Sequence, residues 1–256
     1  MHACALSDAG HRRPDNEDRV CADEQAGLLI VADGMGGHAG GEVASAIAVD
    51  VIRSRTLRAQ RGSTGLPAGA DGLEARLVAA IRQADRAIRD RAGEEPGLAG
   101  MGTTVVAAIA HDERVIIAHV GDSRAYLLHD GELTRLTEDH TLVAGLVRAG
   151  RLTPRQARTH RFRNVLTRNL GSGKRPLAVD VRSIAWAAPD RLLLCSDGLS
   201  TPVTDGRIRA LMVRADLDLD AACRRLVAAA NAAGGRDNIS VIVATPGGQG
   251  LERSSA

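Results

Sequence analysis

The chain has 256 residues, 44% hydrophobic and 25% charged, with a formal net charge of +2. This balance suits a globular protein of one large domain or two small ones, and it carries no bulk nucleic-acid footprint. No apolar run approaches the roughly 18 residues that a membrane helix needs, and Met1 to Arg13 lacks the apolar core of a signal peptide, so a cytoplasmic location without membrane attachment is expected. One Phe, one Tyr and one Trp leave the core to Leu, Val, Ile and Ala. Cys4, Cys21, Cys195 and Cys223 show no CxxC spacing and are expected as packed, reduced thiols.

In chain order, Cys4 to Ser7, Arg19 to Ala22 and Leu28 to Ala32 are expected as short strands. Val43, Ile47 and Val51 recur at helical spacing. Gln60 to Gly72 is rich in Gly, Pro and Ser and marks a loop. Leu73, Leu77, Ile81, Ala84 and Ile88 form the stripe of a second helix that stops near Gly93. Thr103 to Ala110 and Val115 to Val120 are strands joined through His111 to Arg114. Arg124 to His129 and Glu132 to Leu136 flank Asp130-Gly131, a two-residue hairpin signal. Val181 to Ala185 and Leu192 to Ser196 are expected as a further pair, linked through Pro189-Asp190. Helices are expected near Asp205 to Val213 and Leu219 to Ala232, then a last strand, Ile239 to Val243. Asp216, Asp218 and Asp220 superficially resemble a calcium loop. Ala221 and Val227 stand where Gly and Glu are needed, so helix N-capping is the better reading.

Strands and helices do not alternate one by one, which argues against a parallel doubly wound sheet. Two stacked antiparallel sheets with a helix pair outside each bury every apolar stripe. The expected fold class is therefore α+β, a four-layer αββα sandwich over residues 1–245, with a flexible tail over 246–256.

Four apolar runs meet a carboxylate at one end. Leu28 to Ala32 runs into Asp33-Gly34, Val115 to Val120 into Gly121-Asp122, and Leu192 to Ser196 into Asp197-Gly198. Asp237-Asn238 precedes Ile239. If those ends converge, the carboxylates repel unless protons or multivalent cations neutralise them. All-oxygen ligation favours magnesium, manganese or calcium over zinc. Metal-assisted chemistry on a phosphate is the first expectation.

Ser7 to Asp18, Asp33-Gly-Met-Gly-Gly-His38, Gly102-Thr-Thr104, Gly121-Asp-Ser-Arg124, Ser196-Asp-Gly198 and Arg236-Asp-Asn238 occur in that order. Together they resemble the metal-dependent serine/threonine protein phosphatases of type 2C, in their compact bacterial form. The resemblance runs from about Ser7 to Val243 and implies the αββα fold. It implies a binuclear Mn2+ or Mg2+ centre bridged by Asp33, with the Gly34 carbonyl, Asp197 and Asp237 as further ligands. Glu17 and Asp18 would serve the second ion through waters, and Asp122 with Asp197 a third, weaker ion. Arg13 would grip the substrate phosphate with its planar fork. The implied reaction is in-line attack of a metal-activated water on phosphoserine or phosphothreonine in a protein. The enzyme would be a monomer opposing a bacterial serine/threonine kinase.

Many eukaryotic members of that family place His two residues after the bridging Asp. Here Met35 stands there and cannot donate a proton. His38 is then the candidate donor, beside a structural role for it. Thr104 is expected as a packed strand threonine rather than as a site residue. By family position residues 140–179 are a flap beside the site. His140 to Val179 contains no Asp or Glu but nine Lys and Arg, either a docking surface for acidic phosphoproteins or a solvated basic face. The alternative function is a catalytically weak pseudophosphatase acting as a regulatory binding module. Loss of a ligating carboxylate would favour it, and none is lost.

Overall fold

The computed structural model describes residues 1–36, 40–61, 70–173, 176–213 and 218–247. The chain opens with strands β1 (His2–Asp8), β2 (Asp18–Asp23) and β3 (Leu28–Met35). Two long helices follow, α1 (Gly40–Arg61) and α2 (Ala70–Glu94). Then come β4 (Gly102–Thr103), β5 (Val105–His111), β6 (Arg114–Val120), β7 (Arg124–His129) and β8 (Glu132–Arg135). Two short helices, α3 (Leu142–Arg148) and α4 (Pro154–Thr159), lead to β9 (Asp180–Ala185) and β10 (Arg191–Cys195). The chain continues with α5 (Asp197–Ser200), α6 (Asp205–Met212), α7 (Leu219–Ala232) and β11 (Ile239–Thr245).

One sheet has the order β1-β11-β10-β7-β8. The other has β2-β3-β5-β6-β9, with β4 paired to β3. Every pair is antiparallel. The two-residue alternation of each strand sorts its apolar side chains between layers. On β3, Leu28, Ile30 and Ala32 pack against Ala48 and Ile52 of α1 and Leu77 and Ile81 of α2. Leu29 and Val31 face Leu192, Leu194 and Ile242 of the opposite sheet. On the far side Leu193, Val241 and Val243 pack against Ile208 of α6 and Leu226 and Ala230 of α7. The layers therefore run helices, sheet, sheet, helices, which is the αββα sandwich the patterning implies.

Three details differ from the sequence expectation. Val181 to Ala185 does not pair with Leu192 to Ser196: β9 pairs with β6, and β10 lies in the other sheet between β7 and β11. The link carries the chain across the sandwich. The backbone N–H of Trp186 donates to Glu113 O, its ring is buried between the sheets, and Asp190 N closes a turn onto Ala187 O. The helices also reach into the expected loop over Gln60 to Gly72, of which 62–69 lie outside the described residues. Finally, 140–179 contains α3 and α4, too short for a periodic stripe. Thr141 caps α3, and Thr153 with Gln156 forms a capping box on α4.

The hairpin at Asp130-Gly131 forms as expected, with φ of 48° and 75°. Asp218 caps α7 by accepting from Ala221 N; Asp216 lies outside the described residues. The four cysteines are free, two of them buried. Among the described residues no helix is long and apolar enough to cross a membrane. Of the expected tail, 248–256 lie outside the described residues.

Candidate metal centre

The apolar row between the sheets turns polar at one end. Asp33 follows Leu29 and Val31 on the same face of β3, and Asp18 precedes Val20 on the facing side of β2. The same alternation brings Thr104, Ser123, Ser196 and Ser240 to that end from β5, β7, β10 and β11. Ser196 Oγ donates to Asp18 Oδ2 at 2.9 Å and accepts from Ser240 N at 3.0 Å. Thr104 Oγ1 accepts from Asp33 N at 3.3 Å and bonds Ser123 Oγ at 2.7 Å, and Thr103 Oγ1 donates to Asp33 O at 2.8 Å. Thr104 is therefore both a packed threonine and a clamp on Asp33. Ser196 thus holds the Asp18 carboxylate and the two threonines hold the Asp33 backbone, without adding charge.

Asp197 begins α5 directly after β10, and Asp237 stands two residues before β11. Asn238 ties this end together. It accepts from Glu17 N at 2.9 Å and donates to Ala9 O at 3.0 Å and Asp15 O at 2.9 Å. Gly34 N donates to Glu17 O at 3.2 Å. A Cβ on Gly34 would collide with the carbonyl oxygens of Gly41 and Glu17, and one on Gly198 with the carbonyl of Asn238. Both Asp-Gly pairs thus need glycine for close backbone approach.

The structure brings the expected carboxylates into one electrostatic unit. Burial raises the Asp33 carboxyl well above the usual range, and Asp18, Asp197, Asp122 and Asp237 push it the same way. Burial lifts Asp18 to about 7, opposed by the Ser240 and Ser196 hydroxyls. Asp122 rises to about 7 through burial and then Asp197, and Asp197 to about 6 through burial and then Asp237. Glu17 is raised by burial, which Arg13 and the Gly41 N–H oppose. Arg13 forks onto Asp237, with Nε 2.9 Å from Oδ1 and Nη2 3.2 Å from Oδ2. The residue expected at the phosphate therefore grips a candidate ligand. His38 lies outside the described residues.

The donor set is of the kind hard divalent cations take: carboxylate oxygens that feel one another's charge, with negative charge in surplus over the one guanidinium on Asp237. Among the described residues, the group whose ligating atoms lie within 4.8 Å of one another is a different one, His119, His140 and Asp180. There the protein fills the site itself. Gly121 N donates to His140 Nδ1 at 3.1 Å, which puts the ring proton on Nε2, 3.1 Å from Asp180 Oδ2. Arg168 donates to Asp180 Oδ1 at 2.6 Å. This is a polar latch joining the two ends of 140–179, and the sequence reading missed it.

The protein phosphatase 2C profile matches residues 8–240. The chain belongs to the protein phosphatase 2C family. It is 42% identical over 245 residues to the serine/threonine protein phosphatase PstP of Mycobacterium tuberculosis, covering 95% of this chain and 45% of that one. The chain thus spans less than half the length of that relative. It is 39% identical over 247 residues to the serine/threonine phosphatase stp of Listeria innocua, covering 95% of each. The crystal structure of the PstP catalytic domain in complex with two manganese ions matches with a TM-score of 0.80 and 40% identity, covering 94% of this chain and 96% of that one.

Proposed function

We propose that this phosphatase-family chain hydrolyses phosphoserine and phosphothreonine in proteins with manganese or magnesium. The observation that carries the reading is that Asp18, Asp33, Asp122 and Asp197 are all raised, by burial first and then by neighbouring carboxylates, with Asp197 acting on the other three and Asp237 on Asp18, Asp33 and Asp197. Asp33, the Gly34 carbonyl, Asp197 and Asp237 would hold the principal ions, Glu17 and Asp18 the waters around the second, and Asp122 with Asp197 a third. When bound, such ions supply Lewis acidity and acidify a water enough to make it a nucleophile near neutral pH. Arg13 orients the phosphate with a guanidinium already aligned by Asp237 and offsets charge on its oxygens in the transition state. Ser196 and Thr104 hold Asp18 and Asp33 in place. His38 is the proposed proton donor to the leaving alkoxide. The enzyme acts as a cytoplasmic monomer against a serine/threonine kinase; the four free thiols suit a reducing compartment.

The test is phosphate release from a phosphothreonine peptide with manganese, magnesium or chelator, beside Asp197→Asn. Metal-dependent release that the variant loses is expected. No release by the folded protein under either metal would overturn the reading.

A further inference from the structure

A cavity of about 530 Å³ separates α3 and α4 from α5 and α6, and Asp122 and Asp197 line it. Its wall includes an aliphatic patch of Val143, Val147, Ala157 and Val203. The charged groups around it are nearly all engaged. Glu138 pairs with Arg148 at 3.3 Å, Asp139 takes both ends of the Arg124 fork at 2.9 and 2.7 Å, and Asp205 accepts from Tyr126 OH at 3.1 Å. Two guanidiniums remain. Arg158 at the end of α4 and Arg163 just beyond it line the same cavity, are exposed, and have no ion pair or side-chain hydrogen bond among the described residues.

We propose that this cavity seats the part of a phosphoprotein substrate that flanks the phosphoresidue, and that Arg158 and Arg163 select an anionic side chain there beside an aliphatic one. The proposal rests on the phosphatase reading and adds to it a sequence preference. The charge balance of the lining decides the occupant's chemistry. Outside the metal cluster the lining carries three carboxylates, Glu138, Asp139 and Asp205, against five guanidiniums, and two of those five have no partner among the described residues, so an entering carboxylate or phosphate is favoured over an entering cation. Of the other basic residues of 140–179, Arg148 and Arg168 are paired, Arg161 lies 4.4 Å over the Phe162 ring, and Arg151 and Arg155 do not line the cavity. Lys174 and Arg175 lie outside the described residues.

The experiment compares phosphothreonine peptides with Glu, Ser or Lys flanks, and a small aryl phosphate, for the wild type and Arg158→Ala/Arg163→Ala, all with manganese. The wild type is expected to favour Glu over Lys flanks by about fivefold or more in kcat/KM, an advantage that shrinks with salt. The double variant is expected to lose that advantage while turning over the aryl phosphate normally. Two outcomes would overturn the cleft assignment: aryl phosphate turnover by a wild type with no flank preference, or a preference that survives in the variant. Failure of the wild type on the aryl phosphate as well as the peptides would instead remove the phosphatase reading beneath it.

Discussion

Asp18 and Asp33 stand directly opposite one another across the β2–β3 ladder. Directly opposed residues of an antiparallel pair share a face, and like charges there are destabilising. Both carboxyls are raised by burial first, and Asp33 also by Asp18. The arrangement costs the protein stability unless the charge is neutralised.

That cost has a pH signature. A carboxyl whose folded pKa lies above its unfolded value binds more protons in the folded state, so stability falls as pH rises between the two. For Asp18 and Asp122 the window runs from 3.8 to about 7. Chelated protein is expected to lose stability from these groups across that window and to regain it when manganese is added at pH 7.5. Asp33→Asn in chelator is expected to melt about 2–4 °C above wild type for each kcal/mol of repulsion relieved, with turnover abolished. Scanning calorimetry on both proteins checks this; a chelated variant melting below wild type would contradict it.

Arg13 is expected to resist conservative replacement. Its two contacts with Asp237 need a planar fork, which lysine lacks. Arg13→Ala should lower kcat/KM by about 10²-fold, and Arg13→Lys should recover little of it. Steady-state kinetics on an aryl phosphate, with manganese affinity measured separately by calorimetry, distinguishes lost phosphate orientation from lost metal binding. Near-complete rescue by lysine would show that charge alone suffices.

Ser196→Ala is expected to destabilise the protein by about 1–3 kcal/mol. The change removes the donor to Asp18 Oδ2 and strands the Ser240 N–H in a fully buried place. Urea unfolding in chelator measures it. A loss under half a kcal/mol would mean that water replaces the hydroxyl.

The carboxylate ends were legible in the sequence because each borders an apolar run; a lone Asp-Gly after a strand is more often a turn, as at Asp130-Gly131, and it is the ordered set that singles these out. The αββα layering was legible from the same apolar runs. The hydroxyl clamps were not, since Ser196, Ser240 and Thr104 look like any strand residues until the sheets are stacked. Asn238 was quoted only as part of a motif; its bonds to Ala9 and Asp15 span more than 220 residues of chain. The β9–β10 misassignment came from treating neighbours in sequence as neighbours in a sheet. A signal for α4 was present in Thr153-Pro-Arg-Gln156, the capping-box spacing. The Arg13 fork on Asp237 joins residues 224 apart, and no local pattern announces it.

Asp18 and Asp33 belong to one sheet, while Asp197 and Asp237 border strands of the other. The centre is therefore a seam, and its geometry is only as good as the alignment of the two halves it joins. A slip of one sheet over the other by a fraction of an ångström would leave secondary structure intact and still misplace half of the cluster. Side chains such as Leu29 and Ile242, packed between the sheets, act as alignment pins for the proposed centre, and slight loosening there is expected to lower activity well before the fold is lost.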